Sequence, residues 1–415
     1  MDEPALELLN YKHLYLTLLS YIWYNISINA RGGENMYQGI ECKIYPNEKQ
    51  KQLIHMTFGH TRFIWNEMLA MLNQRYENNK SLKMMSYNEL SSLIPQMKKE
   101  YPWLREVDSV AVQCSVKRLS ETFVRFFKGY SKYPKFKSKK NTRQSYLSTI
   151  RGNNIRFNDN QRYIKLPKLG WVKCKSSVLH VENERIKSVT VKYTPSGDYY
   201  ISLLVTSDNQ ALPKTGKAVG IDLGLTDLAI TSDGQKYQSQ RLHLKYKQQM
   251  HYWEKRMARR RLQAKKNGVA LVDAKNYQQA KRQVARIHQR IKNSRKDYIH
   301  KITTDIVKSY DVIVLEDLKT TNMMKNHQLA RSIANQSWRM FRTILEQKCE
   351  MYDKTLIVVN PYKTSQKCSN CGHDGGKKTL DVRHWTCTKC NMHHDRDINA
   401  AKNILNIGLE QALVK

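Results

Sequence analysis

Four cysteines near the carboxyl end of the chain occur as two pairs with the spacing of a metal site. Cys368 and Cys371 form the first Cys-x-x-Cys pair, and Cys387 and Cys390 form the second after fifteen intervening residues. Two such pairs can close a tetrahedral thiolate cage around Zn²⁺. Four thiolates leave no coordination position open, so we predict one structural zinc ion and no need for the nearby histidines as ligands.

Three acidic residues lie where carboxylates from distant parts of a chain can converge. Asp222 and Glu316 each end an apolar strand segment, and Asp397 lies where the last helix begins. Sites in open α/β sheets form outside the carboxyl ends of the strands. Hydrolysis of a phosphodiester with two divalent ions needs several converging carboxylates, and Mg²⁺ prefers oxygen ligands. The pattern therefore indicates a nuclease site, with Asp395 as a rival of Asp397 or a cap of the same helix.

The charge balance indicates a polyanionic partner. Lysine and arginine number 71 against 36 acids, which gives a formal net charge of +35. Nucleic acid is favoured over a membrane, because no apolar run of about 20 residues occurs. A merely soluble basic protein is the weaker alternative. The other cysteines are scattered, which favours a reducing compartment over a disulfide framework; they are Cys42, Cys114, Cys174 and Cys349.

Two basic segments are the predicted nucleic-acid contacts. Aromatic residues alternate with lysines from Tyr133 to Lys140, and residues 242–301 hold 18 Lys/Arg against three acids on a predicted helical hairpin. Basic and aromatic side chains together suit backbone contact and base stacking, although a solvated loop is an alternative for the first segment. The candidate contacts are Lys132, Lys135, Lys137, Lys139, Lys140, Arg259, Arg260, Arg261, Arg286 and Arg290.

The elements that must position these residues fall into two halves. Residues 48–128 show helical periodicity, including one apolar stripe from Ser109 to Phe127. Residues 144–206 alternate as short strands and predict a small antiparallel β-barrel, which the strand at 37–46 could join. Beyond residue 216, apolar strands alternate with helices, which predicts an α/β domain.

Several motifs together resemble the TnpB family of transposon-encoded RNA-guided nucleases, which are similar to compact type V CRISPR effectors. The resemblance covers about residues 37–407. The motifs are Gly220-Ile-Asp-Leu-Gly224, Val314-Leu-Glu-Asp-Leu318, the two cysteine pairs and Asp395-Arg-Asp-Ile-Asn-Ala-Ala-Lys-Asn-Ile404, with Thr61–Asn66, Tyr133–Lys140 and Leu166–Trp171 upstream.

The resemblance implies a multidomain α+β fold. A wedge β-barrel carries an inserted helical recognition lobe, and a RuvC-type, RNase H-like nuclease domain carries the helical hairpin and an inserted zinc ribbon. The implied ranges are 1–35 for an extension of unknown role, 36–47 for the first wedge strand, 48–130 for the recognition domain, 131–210 for the wedge barrel, 216–366 for the nuclease domain, 367–393 for the zinc module and 394–415 for the last nuclease segment.

The resemblance also implies the activity. Asp222, Glu316 and Asp397 would be the catalytic Mg²⁺ ligands, for two ions. The partners would be a guide RNA from the transposon end and double-stranded target DNA, cut beside a short flanking motif. We expect a prokaryotic cytoplasmic protein associated with the nucleoid, and the oligomeric state stays open. The alternatives are an RNA-guided or zinc-ribbon DNA-binding regulator without cleavage and a guide-independent resolvase-type nuclease.

Overall fold

The computed structural model describes residues 36–141, 143–175, 181–208, 210–326, 330, 333–334, 336–379 and 381–413. The predicted extension, residues 1–35, lies outside the described residues. The described chain divides into two compact units. The first unit comprises residues 36–208 with Arg260–Arg286, and the second comprises residues 210–259 with 287–413. No helix of this described part is long and apolar enough to cross a membrane.

The first unit is built on a seven-stranded antiparallel sheet. Its first strand lies in the middle of the sheet and pairs with the fifth and seventh strands, as the sequence predicts for residues 37–46. The strands are β1 (Met36–Tyr45), β2 (Gln144–Thr149), β3 (Arg156–Phe157), β4 (Tyr163–Leu166), β5 (Gly170–Cys174), β6 (Ile186–Tyr193) and β7 (Tyr199–Ser207).

The predicted β-barrel is wrong, because this sheet does not close. Its strand order is β2-β6-β7-β1-β5-β4-β3, and the edge strands β2 and β3 do not pair with each other. β3 has only two residues, so this edge offers few backbone groups for closure. Alternating apolar residues identify the strands, but closure depends on strand tilt and stagger, which the alternation does not encode.

The residues between β1 and β2 form helices. The predicted stripe is confirmed, since Val112, Val116, Leu119 and Phe123 are buried on one helix. Pro95 lies in the first turn of a new helix, as its ring and missing N–H allow. The helices are α1 (Glu48–Asn78), α2 (Tyr87–Ser92), α3 (Ile94–Glu100) and α4 (Ser109–Phe127).

The second unit contains a five-stranded mixed sheet with the order β10-β9-β8-β11-β12. β11 pairs in parallel with both β8 and β12, whereas β8, β9 and β10 are connected as antiparallel neighbours. A separate two-stranded sheet, β13 with β14, lies beside the cysteine pairs in the sequence. The strands are β8 (Ala218–Asp222), β9 (Asp227–Thr231), β10 (Lys236–Gln238), β11 (Val312–Glu316), β12 (Thr355–Val359), β13 (His384–Thr386) and β14 (His393–Asp395).

The remaining helices include two that confirm the helical arms of the basic hairpin predicted for residues 242–301. The first arm ends at Lys266, and Gly268 follows with a φ of 64°, a backbone conformation that glycine adopts readily. The helices are α5 (Leu242–Lys245), α6 (Lys247–Lys266), α7 (Lys275–Ser309), α8 (Thr320–Met323), α9 (Trp338–Met351) and α10 (Arg396–Leu413).

Candidate metal centres

Two of the predicted acids end neighbouring parallel strands. Ile221 of β8 is paired with Leu315 of β11, so the next residues, Asp222 and Glu316, lie side by side where the strands end. Residues that end parallel neighbours share one edge of the sheet. The described fold therefore brings together two acids that are far apart in the sequence.

Two glycines allow α10 to lie directly against these strands. A Cβ on Gly220 of β8 would overlap the backbone of Ala401 and Leu405, and a Cβ on Gly408 would overlap the Val314 side chain. Only glycine permits so close an approach of helix to sheet. The first turn of α10 carries Asp397, so this packing determines where the third acid lies.

The pKa of Asp222 reflects its burial and the charges of the other two acids. Burial first, and then the charges of Glu316 and Asp397, raise the pKa of Asp222 to about 8; Arg396 and the Leu223 N–H oppose the rise. A carboxyl group that loses hydration beside like charges holds its proton more tightly. The charges of the other two predicted acids therefore act on Asp222.

Glu316 and Asp397 also have partners of their own. The buried Glu316 accepts a hydrogen bond at Oε1 from the Thr364 hydroxyl at 2.6 Å. Burial raises the pKa of Glu316, and this hydrogen bond partly offsets the rise. Asp397 Oδ2 lies 3.1 Å from Nη1 of Arg383 in an ion pair. Sequence reasoning missed both Thr364 and Arg383, for which no motif gave a signal.

Asp222 and Glu316 share an edge of the sheet, but the three acids do not form a compact group of metal ligands. Among the described residues, the four cysteines are the one group of three or more His, Cys, Asp or Glu side chains arranged closely enough to hold a metal ion. Asp222, Glu316 and Asp397 form no such group. Their assignment as catalytic residues stays a prediction.

Asp395 has a structural role that the sequence anticipated. Its Oδ1 accepts hydrogen bonds from the backbone N–H groups of Asp397 and Ile398, at 3.0 and 3.1 Å, and so caps the start of α10. Its Oδ2 forms an ion pair with Lys236 at 2.6 Å. Burial alone would raise the pKa of Asp395, but the Lys236 hydrogen bond and the Ile398 N–H bring it below its ordinary value.

The four predicted zinc ligands form a compact sulfur cluster. Their Sγ atoms all lie within 4.8 Å of one another. Cys368 and Cys390 are 3.6 Å apart, as are Cys371 and Cys387. The Met392 N–H, followed by the Asn370 side chain, lowers the pKa of Cys390 to about 6, which favours a thiolate there. Four soft donors this close together suit Zn²⁺.

One histidine lies closer to this cluster than the sequence indicated. Nε2 of His394 is 3.0 Å from Sγ of Cys368, and the ring packs against Trp385 with the centroids 4.9 Å apart. His394 is buried and belongs to β14. A donor to a ligating sulfur orients the ligand without binding the metal itself.

The predicted nucleic-acid contacts are mostly exposed. Among them, Arg260 is half-buried, and Lys137 places its ammonium 3.6 Å from the centroid of the Trp65 ring. The first unit contains a cavity of about 950 Å³. Two of the predicted lysines line it, together with basic side chains of α7 that were not among the predicted contacts. The basic groups that line it are Lys139, Lys140, Lys275, Lys281 and Arg282. Nothing in the structure tests whether these residues bind nucleic acid.

Three family models match separate parts of the chain. A model described as a helix-turn-helix domain matches residues 36–81, which here form β1 and the single long helix α1. A model of the OrfB proteins of IS605, described as a probable transposase, matches residues 188–327. A Cas12f1-like TNB domain model matches residues 338–404, which include the cysteine cluster.

Two curated relatives match nearly the whole chain. A Streptomyces pristinaespiralis protein named "Putative RNA-guided DNA endonuclease" is 33% identical over 380 residues, which span 91% of this chain and 90% of that protein. The chain belongs to the TnpB family. A second relative of this TnpB-family chain, InsQ of Escherichia coli K12, bears the same description and is 28% identical over 389 residues, 89% of this chain and 92% of the other.

A solved structure resembles the TnpB-family chain in fold. The cryo-EM structure of the Cas12f1–sgRNA–target DNA complex contains a chain that matches with a TM-score of 0.54. The match covers 90% of this chain and 99% of that one at 14% sequence identity. At this identity the likeness supports the α+β fold alone.

Proposed function

We propose that this TnpB-family chain is an RNA-guided DNA endonuclease of a transposon, which binds double-stranded DNA beside a short flanking motif and cuts it. The observation that carries the proposal is the meeting of Asp222 and Glu316 at the ends of paired parallel strands, with Asp397 on the helix packed over them. The names of the full-length relatives support the same activity.

The acid site suits divalent cations because of its donor set. The three side chains are oxygen donors, which Mg²⁺ prefers. Burial first, and then the charges of Glu316 and Asp397, raise the pKa of Asp222, and a bound cation would favour its ionised form. Two Mg²⁺ ions bound there would supply an activated water and stabilise the leaving 3′ oxygen. The chain's own part is to hold Asp222 and Glu316 on rigid strand ends and Asp397 on a capped helix.

The cysteine cluster suits one structural zinc ion. All four donors are thiols within 4.8 Å of one another, and a site filled by four sulfurs has no open position for water. We assign residues 367–393 to this module. Its place just ahead of Asp397 in the sequence supports a role in holding nucleic acid near the acids.

The other domain assignments follow the same family pattern. We assign residues 36–47 and 131–210 to the wedge domain, with an open sheet in place of a barrel, and residues 48–130 to the recognition domain. Residues 216–366 and 394–415 would form the RuvC-like nuclease domain, which the mixed five-stranded sheet supports. Exposed lysines and arginines of both units, with the net charge of +35, suit a guide RNA and a displaced DNA strand.

The proposal is tested by purifying the chain from cells that carry its native locus. We expect a defined RNA to copurify, and we expect the complex to cut a plasmid that bears the matching sequence and flanking motif when Mg²⁺ is present. Tight target binding without cleavage would instead support a regulator. Cleavage of branched DNA by RNA-free protein would contradict guide dependence.

A further inference from the structure

The segment between β12 and the cysteine cluster reaches into the acid site through one hydroxyl group. Thr364 is only 5% exposed, and its Oγ1 lies 2.6 Å from Oε1 of Glu316, which is 6% exposed. The hydroxyl donates to the carboxylate, and hydrogen bonds to a charged acceptor are about twice as strong as neutral ones. Engaging Oε1 restricts rotation of the carboxylate and so sets the direction in which Oε2 points.

Thr364 is itself held in place by the last helix. Asn403 of α10 donates from Nδ2 to the backbone carbonyl oxygens of Thr364 and Lys367, both at 2.8 Å. Asn399, four residues earlier and therefore on the same helix face, donates to the Lys367 carbonyl at 2.8 Å. Its Oδ1 accepts from the Ser369 N–H at 2.8 Å.

These contacts explain two asparagines that the sequence motif contained without a role. Asn399 and Asn403 are 1% and 8% exposed, and a buried amide is costly unless its hydrogen bonds are made. Together they fasten the residues on both sides of Cys368 to α10. The same helix carries Asp397 in its first turn. The cysteine cluster, Glu316 and Asp397 are therefore tied to one helix.

We propose that Thr364 is a positioning residue of the nuclease centre. Its hydroxyl orients Glu316 for divalent metal, and Asn403 holds the Thr364 backbone so that the hydroxyl reaches the carboxylate. The assignment rests on the proposed function, because it takes Glu316 as a metal ligand. It adds that the segment leading into the cysteine cluster fixes the geometry of the acid site.

The test compares Thr364→Val, which keeps the shape and removes the hydroxyl, with Thr364→Ser, which keeps the hydroxyl. We expect Thr364→Val to lower the single-turnover cleavage rate of the full complex by about tenfold or more and to raise the half-saturating Mg²⁺ concentration. Thr364→Ser should stay within about threefold of wild type in both quantities. Affinity for target DNA and zinc content should be unchanged in both variants.

Binding of Mn²⁺ gives a readout that does not depend on activity. Calorimetric titration of Mn²⁺ into the full-length chain, with Asp222→Ala as the background, should show affinity weakened by about tenfold in Thr364→Val and nearly normal in Thr364→Ser. Thr57→Val is the matched control, because Thr57 is also a buried threonine but donates only to the Leu53 carbonyl. It should leave Mn²⁺ affinity unchanged.

Asn403→Ala tests the second half of the proposal without touching the hydroxyl. We expect a smaller loss of cleavage rate and Mn²⁺ affinity than in Thr364→Val. Wild-type rate and Mn²⁺ affinity in Thr364→Val, or equal losses in the Val and Ser variants, would overturn the role of the hydroxyl. If the wild-type complex does not cleave, the proposed function fails, and the Mn²⁺ comparison still decides whether Thr364 orients a metal ligand.

Discussion

The two candidate metal centres of the second unit are built in opposite ways. The four cysteines come from one short stretch of chain, and their sulfur atoms already lie within 4.8 Å of one another. The three acids come from β8, β11 and α10, and the described structure does not gather them into a group that could hold a metal ion. The sulfur site is compact, whereas the acid site is distributed over three elements.

The difference follows from the chemistry of the donors. Backbone and side-chain N–H groups around the cluster can stabilise a thiolate, as at Cys390, whereas ionised carboxylates repel and are costly to bury together. Here Asp222 has a pKa raised to about 8, and Asp397 is paired with Arg383. We infer that ionisation of Asp222 is costly in the acid site and that bound cations would lower this cost, while the cysteine site is a scaffold.

The comparison between the two centres depends most on the assignment of Asp397 as the third catalytic acid. Asp397→Ala should reduce cleavage by about 10²-fold or more, because a charge aimed at the reacting centre is lost. Asp395→Ala should keep cleavage within a few-fold but cost about 1 kcal/mol of stability, since it removes a helix cap. Single-turnover rates and thermal melts of the two variants distinguish these roles, and the reverse ranking would assign catalysis to Asp395.

The cysteine site is tested by removing one ligand. Cys387→Ser should lower the zinc content, measured by mass spectrometry of the metal, from one ion per chain towards none. The module should then become sensitive to protease, because a structural zinc site contributes folding energy directly. Cys114→Ser is the control, since Cys114 is buried on α4 of the first unit and is not a member of the four-cysteine cluster. Full zinc content in Cys387→Ser would contradict a four-thiolate site.

The packing that brings the acids together is tested at Gly220. Gly220→Ala should destabilise the protein by about 1–3 kcal/mol or more and slow cleavage, because the added Cβ would overlap the α10 backbone and displace Asp397. Gly39→Ala, at a strand glycine with open space around it, is the matched control. Denaturant melts of both variants measure the effect, and equal stabilities would show that α10 does not need this close approach.

The raised pKa of Asp222 is tested with Asp222→Asn in Mg²⁺-free buffer. The folded-state pKa of about 8 lies above the ordinary 3.8, so the folded chain holds a proton that the unfolded chain releases. The stability of the wild type should therefore fall as pH rises from about 4 to about 8. Asp222→Asn lacks this loss and should melt about 2–4 °C higher at pH 8, with little difference at pH 4. A lower melting temperature for the variant at pH 8 would contradict the raised pKa of Asp222.

The sequence was most informative where residue spacing or the end of a strand marks a site. The spacing of Cys368, Cys371, Cys387 and Cys390 predicted the sulfur cluster, and strand ends predicted that Asp222 and Glu316 would be neighbours. Contacts across the fold were not predictable. Thr364 on Glu316, Arg383 on Asp397 and His394 beside Cys368 depend on how separate elements pack, and no residue spacing encodes them.

The prediction of a closed β-barrel was wrong for a similar reason. Alternation between residues 144 and 206 identified strands, and β1 joined them as expected. Whether a sheet closes depends on its two edges meeting, and the edges here, β2 and the two-residue β3, stay apart. Local patterns therefore gave the elements of the first unit but not the shape of its sheet.

The central claim is that one acid site cuts DNA chosen by a guide RNA. The most direct measurement uses Asp222→Ala purified with the RNA of its native locus, and compares its target binding and plasmid cleavage with those of wild type in Mg²⁺. We predict that the variant binds matching DNA with wild-type affinity and leaves both strands intact. Cleavage of either strand by the variant at the wild-type rate would contradict the account.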